Sequence, residues 1–136
     1  GYAFYKCKSL TAMPVNNKLK TIGKAAFYGC TSLKTLTVGG KVTTIGESAF
    51  GGCSKMTAVS IGANVKTIGA SAFSGCKSLA TVKVGSAKLK TVSKNAFKGT
   101  KSKITFKIPK KYYKSYMAKI KAKGVVAPKN AIYKKY

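Results

Sequence analysis

VKTIGASAFSGCKSLATVKVG, residues 65–85, is the stretch that decides the fold, because variants of it recur before and after it in the chain. Residues 19–39 read LKTIGKAAFYGCTSLKTLTVG, residues 42–62 read VTTIGESAFGGCSKMTAVSIG, and residues 89–109 read LKTVSKNAFKGTKSKITFKIP. The stretch AFYKCKSLTAMPV, residues 3–15, is the second half of the same unit. This period of about 23 residues predicts a solenoid, in which each unit buries its apolar face only by stacking on the next unit.

Each unit contains two local patterns. Its end alternates apolar residues with small or polar ones, as in residues 79–84, and this alternation predicts one short parallel strand per coil. The Ser-Ala-Phe-x-Gly-Cys segment is too short for a regular helix and predicts a single helical or 3₁₀ turn. A turn with positive φ is expected at the glycine that follows the isoleucine of each unit, namely Gly23, Gly46 and Gly69.

Two side chains recur in a fixed position of successive coils and predict two structural ladders. One ladder consists of Phe4, Phe27, Phe50, Phe73 and Phe97. The other consists of Cys7, Cys30, Cys53 and Cys76, and Thr100 takes that position in the fifth coil. Equivalent side chains of coils about 4.8 Å apart are parallel, which makes disulfide bridging awkward. We interpret the cysteines as small, buried packing residues with free thiols; disulfides or a metal site are the alternatives.

The composition excludes most kinds of catalysis. The 136-residue chain has 27 basic residues, all lysine, against the single acid Glu47, for a formal net charge of +26 and no histidine. Acid–base pairs and catalytic triads therefore lack their residues, as do zinc, calcium and magnesium sites. We expect a non-enzymatic protein with no catalytic residues, no cofactor and no metal. No membrane span is expected either, because no apolar run reaches about 18 residues.

The repeat, with Leu-x-x-Ile-Gly, then Ala-Phe-x-x-Cys-x-x-Leu, then an alternating apolar strand, resembles the BspA-type class of leucine-rich repeats over residues 3 to about 108. The resemblance implies an α/β, β-rich leucine-rich-repeat solenoid of right-handed coils. It also implies an exported bacterial surface protein that serves adhesion or host interaction, with no catalytic residues to transfer. The last unit departs from the pattern at Ser93, Thr100 and Lys103, where the class has Gly, Cys and Leu.

The period changes after the last unit. Apolar residues of 109–123 fall at helical spacing, with Pro109 suited to the first turn and Gly124 to the stop. We predict a solenoid over residues 1–108, with about 4.5 repeats of which the first is truncated. Residues 109–136 are predicted to form a C-terminal cap, made of an amphipathic helix and a short strand or extended tail. Binding of the basic helix to a membrane surface is the alternative.

Two surfaces are candidates for binding. The first is the outward face of the predicted strands, which is small and nearly neutral: Lys34, Thr35, Thr37, Thr57, Ala58, Ser60, Thr81 and Lys83. The second is the cap, since most of the lysines lie from Lys88 onward, and its candidate polyanion contacts are Lys110, Lys111, Lys114 and Lys121.

These surfaces favour two functions for an extracellular or cell-surface protein. One is an adhesion module whose sheet face meets a host or bacterial surface protein or a glycan. The other is a structural spacer whose lysine-rich cap tethers it to an anionic polymer such as teichoic acid or a sulfated glycan. Nucleic acid is disfavoured because no arginine is present to read bases. Because the first unit lacks its front half, we expect a part of a longer array, with no signal peptide in this part. Its exposed N-terminal edge makes a homodimer induced by the truncation plausible, which the upstream repeats would abolish.

Overall fold

The computed structural model of the chain describes residues 1–13, 18–122, 124, 125, 128 and 130–136. It is a parallel β-solenoid of about five coils that ends in one α-helix. A four-stranded sheet consists of Thr21–Ile22 (β1), Thr44–Ile45 (β3), Thr67–Ile68 (β5) and Thr91–Val92 (β7), in that order. A five-stranded sheet consists of Thr35–Thr37 (β2), Ala58–Ile61 (β4), Thr81–Val84 (β6), Thr105–Ile108 (β8) and Ile132–Lys135 (β9).

Coils with both halves described have two strands, one more than the sequence pattern predicts. The additional strand is the Thr-Ile or Thr-Val pair of the four-stranded sheet, which is only two residues long. Two residues are too few to show an alternating pattern, so this strand is invisible in one copy of the repeat. It forms because stacking places identical pairs side by side, for example Thr44 beside Thr67 and Ile45 beside Ile68.

The segment around each ladder phenylalanine is a run of tight turns rather than the predicted helical turn. In the third coil the N–H of Phe50 donates to Ala72 of the next coil, whereas the N–H of Gly51 donates to Ser48 of its own coil. The next amide, of Gly52, donates again to the following coil, at Ser74. A 3₁₀ helix would satisfy its amides within the segment. Stacking takes every second amide for the next coil, and so no helix forms.

The prediction of positive φ at Gly23, Gly46 and Gly69 is wrong. Positive φ occurs instead at the glycine before each ladder cysteine or threonine, with values of 69° to 73°: Gly29, Gly52, Gly75 and Gly99. The glycine after the isoleucine has a different requirement, which is close contact between coils. A Cβ on Gly69 would lie 2.6 Å from the carbonyl carbon of Gly46, and a Cβ on Gly46 would lie 2.8 Å from that of Gly23.

The phenylalanine ladder runs through the core as a continuous stack. Successive rings from Phe4 to Phe97 are nearly parallel, with centroids 5.0, 5.2, 5.5 and 5.6 Å apart. Phe106 closes the stack edge-on, 5.0 Å from Phe97, and itself stacks on Tyr133 at 5.4 Å. Phe50, Phe73 and Phe97 are fully buried. The ladder therefore joins every coil to the cap through one column of aromatic contacts.

The cysteine ladder lies beside the phenylalanine ladder, and all four of its thiols are free. Each buried thiol donates to the carbonyl of the phenylalanine in the preceding coil. The donor–acceptor distances are 3.0 Å for Cys30 to Phe4, 3.2 Å for Cys53 to Phe27 and 3.1 Å for Cys76 to Phe50. The position therefore needs a small side chain that can donate one weak hydrogen bond, which a cysteine supplies.

We expect the buried thiols to resist alkylation in the folded protein. Burial raises the pKa of the Cys30 thiol to about 11, and the neighbouring Cys53 thiol together with burial raises the pKa of Cys76. The Cys76 thiol lowers the pKa of Cys53, so Cys53 is protected by its burial alone. Only the thiolate reacts, and only Cys7 is exposed. Mass spectrometry after iodoacetamide treatment near neutral pH should find the label at Cys7 alone, and at all four cysteines after unfolding. Native labelling of Cys53 as fast as that of Cys7 would contradict the buried ladder.

The cap consists of a helix and a strand. A 3₁₀ turn at Lys110–Tyr112 leads into an α-helix at Tyr113–Ile120 (α1), and Gly124, after the helix end, has a φ of 91°. The helix is shorter than the predicted 109–123, of which Lys123 lies outside the described residues. The end of the tail is a strand, one of the two forms predicted for it: β9 pairs in parallel with β8 and so covers the exposed edge of the five-stranded sheet.

Helix α1 packs its apolar face on the last coil. Tyr116 and Ile120 are buried, and the Tyr116 hydroxyl accepts a hydrogen bond from the N–H of Leu89 at 3.1 Å. Tyr113 donates from its hydroxyl to the carbonyl of Tyr133 at 3.2 Å, which ties the helix to β9. The apolar face of the helix is thus occupied by the solenoid itself.

Candidate functional site

The outward face of the five-stranded sheet is formed by alternate residues in register across the strands. One row runs through Thr35, Ala58, Thr81, Thr105 and Ile132, and the other through Thr37, Ser60, Lys83, Lys107 and Lys134. The strand residues between them are buried in β2, β4, β6 and β8. The face is therefore a flat, ordered surface whose side chains are positioned by the backbone ladder.

The structure places six of the eight predicted sheet-face residues on these two rows. The other two, Lys34 and Thr57, lie one position before β2 and β4, and both are exposed. The Thr57 hydroxyl donates to the Lys34 carbonyl at 3.2 Å, so these two residues continue the face at its edge. The first two strands of the face, β2 and β4, carry small neutral side chains, whereas the face is basic from β6 onward.

Three lysines form a column at the C-terminal part of the face. Lys83, Lys107 and Lys134 are paired in register on β6, β8 and β9, and all three are exposed. Neighbouring strands are about 4.8 Å apart, so the three lysines stand side by side and their like charges repel one another. We call these residues the lysine column. Lys134 was missed in the sequence because nothing there shows that residues 132–135 pair with β8. Lys107 was missed although the repeat could have shown it, since it takes the position of Lys83 in the next unit.

A second group of lysines lies on the cap. Lys110, Lys111 and Lys114 line one open depression of about 430 Å³ together with Tyr113, Ser115 and Lys135. The ammonium of Lys135 lies 4.9 Å from the centre of the Tyr113 ring. Of the four predicted polyanion contacts, the structure thus brings three together and adds Lys135. The fourth, Lys121, lies elsewhere, with its ammonium 4.7 Å from the centre of the Tyr133 ring.

Neither lysine group has a carboxylate side chain to neutralise it. The only acid of the chain, Glu47, forms an ion pair with Lys24 at 3.1 Å in the N-terminal half. The lysines near the cap contact tyrosine rings instead of acids. In addition to the two pairs above, the ammonium of Lys83 lies 5.0 Å from the centre of the Tyr136 ring. A ring face attracts a cation without cancelling its charge, so the positive field remains available to a ligand.

An apolar groove of about 270 Å³ lies at the N-terminal edge, where we predict pairing of two copies. Half-buried and buried apolar side chains line it, among them Phe4, Leu19, Ile22 and Phe27. The homodimer stays a prediction.

Two features are absent from the part of the chain that the structure describes. No cluster of three or more His, Cys, Asp or Glu side chains there could hold a metal ion. No helix within the same residues is long and apolar enough to cross a membrane.

The sequence and the fold are similar to known repeat proteins. A family model described as a BspA type leucine rich repeat region matches residues 1–118 in six copies. The fold is similar to that of the pneumococcal vaccine antigen PcpA, with a TM-score of 0.77, 24% identity and coverage of 99% of this chain and 33% of that one. A leucine rich cell surface protein from Faecalibacterium prausnitzii A2-165 has a TM-score of 0.67 and 21% identity, with coverage of 91% of this chain and 32% of that one.

A leucine-rich repeat protein from Bacteroides ovatus ATCC 8483 is also similar, with a TM-score of 0.51 and 18% identity over 98% of this chain and 48% of that one. The chain thus spans about a third of the first two of these proteins and about half of the third. No curated protein matches the sequence.

Proposed function

The chain belongs to the BspA-type leucine-rich repeat family, and on that premise we propose that it is a non-enzymatic binding module of an exported bacterial surface protein. The observation that carries the proposal is the outward face of the five-stranded sheet, where two rows of exposed or partly exposed side chains run in register across five strands. The lack of histidine and aspartate supports a role without catalysis. The surface location is supported by the described role of the F. prausnitzii protein as a cell surface protein.

The neutral part of the face suits a protein or a glycan as partner. Thr35, Thr37, Ala58 and Ser60 are small, so a partner can approach the strands closely and form hydrogen bonds with the hydroxyl groups. Their backbone is fixed by pairing on both sides in β4, so little conformational entropy is lost on binding. The face thus offers a preformed surface for recognition.

Replacing Ala58 or Thr35 with aspartate should weaken binding to a partner of this face at least about tenfold, because a desolvated, unpaired carboxylate is costly at an interface. The measurement is surface plasmon resonance with immobilised fibronectin, fibrinogen, collagen and neutral glycans at physiological salt. The matched control is Thr67→Asp, which adds the same charge to an outward position of the four-stranded sheet. Equal binding by Ala58→Asp, Thr35→Asp and the unmodified chain would contradict a role of this face.

A second function, tethering to an anionic polymer, is favoured by the two lysine groups. The depression lined by Lys110, Lys111, Lys114 and Lys135 and the lysine column concentrate positive charge at one end of the solenoid. A linear polyanion bound there would release counterions, which makes the affinity fall steeply with salt. This function needs no shaped pocket, in contrast to the recognition of a protein.

The tether is tested by neutralising the lysines of the depression. The variant Lys110→Gln, Lys111→Gln, Lys114→Gln, Lys135→Gln should lose most of its affinity for lipoteichoic acid and heparin, and its salt dependence should become shallower. The control removes the same number of charges from exposed lysines of the coils: Lys20→Gln, Lys41→Gln, Lys66→Gln and Lys90→Gln. Equal losses in the two variants would mean that net charge alone drives binding, and the tether would be rejected.

A further inference from the structure

Three exposed tyrosines lie together on the turns of the first two coils, far in sequence from the lysine groups. Tyr2, Tyr5 and Tyr28 are 55%, 41% and 37% exposed, which places them among the most exposed large apolar side chains of the described residues. The rings of Tyr5 and Tyr28 are parallel within 12° at 5.5 Å, and Tyr2 meets Tyr5 edge-on at 5.6 Å. We call these residues the tyrosine cluster. They belong to neither the core nor the cap.

The cluster is held in place by the backbone of the next coil. Tyr5 and Tyr28 occupy the position after the ladder phenylalanine, and Gly51 has that position in the third coil. A Cβ on Gly51 would lie 2.8 Å from Cδ2 of Tyr28, so the Tyr28 ring lies directly against the glycine. Any larger residue at Gly51 would displace the ring. The rings are therefore ordered before a ligand binds, which lowers the entropy lost on binding.

Polar groups lie beside the rings. An open depression of about 190 Å³ is lined by the three tyrosines together with Lys24, Ala25 and Ser48. The ammonium of Lys24 is 3.1 Å from the carboxylate of Glu47, and this hydrogen bond raises the pKa of Lys24. The ammonium of Lys6 lies 5.2 Å from the centre of the Tyr5 ring. Hydrogen-bond donors thus line the aromatic surface, and Glu47, the only acidic side chain of the chain, lies next to them in its ion pair with Lys24.

We propose that the tyrosine cluster is a carbohydrate-binding site that takes a neutral sugar. A pyranose has an apolar face of C–H groups, which packs on aromatic rings, and a rim of hydroxyl groups, which need both donors and acceptors. The tyrosine rings pack on the C–H face of the sugar, and the Lys24–Glu47 pair supplies a donor and an acceptor for its hydroxyl groups. A polyanion is disfavoured because Glu47 already neutralises Lys24, the lysine that lines the depression. The site uses neither the sheet face nor the lysine groups, so it goes beyond the function proposed above.

The test is an NMR titration of the folded chain with three neutral probes: cellotriose, maltotriose and triacetylchitotriose. At least one probe should cause saturable shifts at the amides of the tyrosine cluster and Ser48. Tyr5→Ala should raise the Kd of that probe about tenfold or more, since exposed aromatic anchors commonly dominate small interfaces. Glu47→Gln keeps the shape of the site and should raise the Kd by a smaller factor. Raising the salt should leave the Kd unchanged, because the probe carries no charge.

The control variant is Tyr136→Ala, which removes a 52% exposed tyrosine at the opposite end of the solenoid and should leave sugar binding unchanged. Three results would each overturn the proposal. The first is the absence of saturable shifts with all three probes, and the second is an unchanged Kd in Tyr5→Ala. The third is binding of fibronectin or heparin that depends on Tyr5 while no neutral sugar binds. The first two results do not bear on the Ala58→Asp test of the sheet face, so the two proposals can fail independently.

Discussion

Phe73→Ala is expected to lower the free energy of unfolding by about 3–5 kcal/mol, which is a large fraction of the stability of a small domain. The Phe73 ring is fully buried between Phe50 at 5.5 Å and Phe97 at 5.6 Å, in the middle of the stack. The truncation removes both ring contacts and leaves a cavity that the coils above and below cannot fill without breaking their own hydrogen bonds. Thermal and urea denaturation followed by far-UV circular dichroism measure the change.

The matched control is Tyr28→Ala, which removes a stacked but exposed ring from the outside of the coil. We expect this change to alter the free energy of unfolding by less than about 1 kcal/mol, because the ring is only partly buried in the folded protein. An unchanged melting temperature in Phe73→Ala would be incompatible with a phenylalanine ladder that supports the coils.

Gly69→Ala is expected to be strongly destabilising for the addition of a single methyl group, at about 3 kcal/mol, the upper end of the range for overpacking. The added Cβ would lie 2.6 Å from the carbonyl carbon of Gly46 and 2.7 Å from the amide nitrogen of Glu47. Both contacts are with backbone atoms, which no side-chain rotation can relieve. The strain would therefore separate two coils along their whole ladder. Chemical denaturation of the variant beside the unmodified chain measures the loss.

The control for this prediction is Gly75→Ala, which should destabilise the fold for a different reason. Gly75 has a φ of 73°, but the nearest atom to an added Cβ is 3.6 Å away, so only the left-handed backbone is unfavourable. That cost is about 1–2 kcal/mol. The fifth coil has Ser93 in the position of Gly69. The segment that leads into Ser93 is one residue longer than in the other coils, because Thr91 pairs with Thr67, 24 positions earlier instead of 23. A larger loss of stability in Gly75→Ala than in Gly69→Ala would refute the close contact between coils.

The C-terminal strand bears directly on the candidate site. The sequence of residues 109–136 contains the helical spacing of Tyr116 and Ile120, which the structure buries on the last coil. It contains no pattern that assigns the final residues to a partner, because a four-residue segment with two lysines has little preference of its own. Pairing with β8 is what places Lys134 beside Lys107 and Lys135 beside the depression on the cap. Two of the seven lysines in the two groups therefore depend on a contact that the sequence does not encode locally.

The sequence alone determined the features of the structure that follow from the repeat. Residues 23 positions apart become neighbours whenever identical units stack, so the period was enough to predict the solenoid and the order of the phenylalanine and cysteine ladders. Apolar residues at helical spacing were enough to predict the helix of the cap. These features depend on the shared pattern of many residues, which a single sequence displays.

Only the tertiary structure decided features that depend on the distance between coils or on contacts outside the repeat. Glycine is required at position 69 because a Cβ there would lie 2.6 Å from the backbone of the preceding coil. The tyrosine cluster forms because Gly51, which has no side chain, leaves room for the Tyr28 ring. The lysine column requires the register between β8 and β9, which joins a repeat to a segment of different sequence. Such contacts depend on the space left between backbones after folding. A pattern of residue types along the chain does not contain that information.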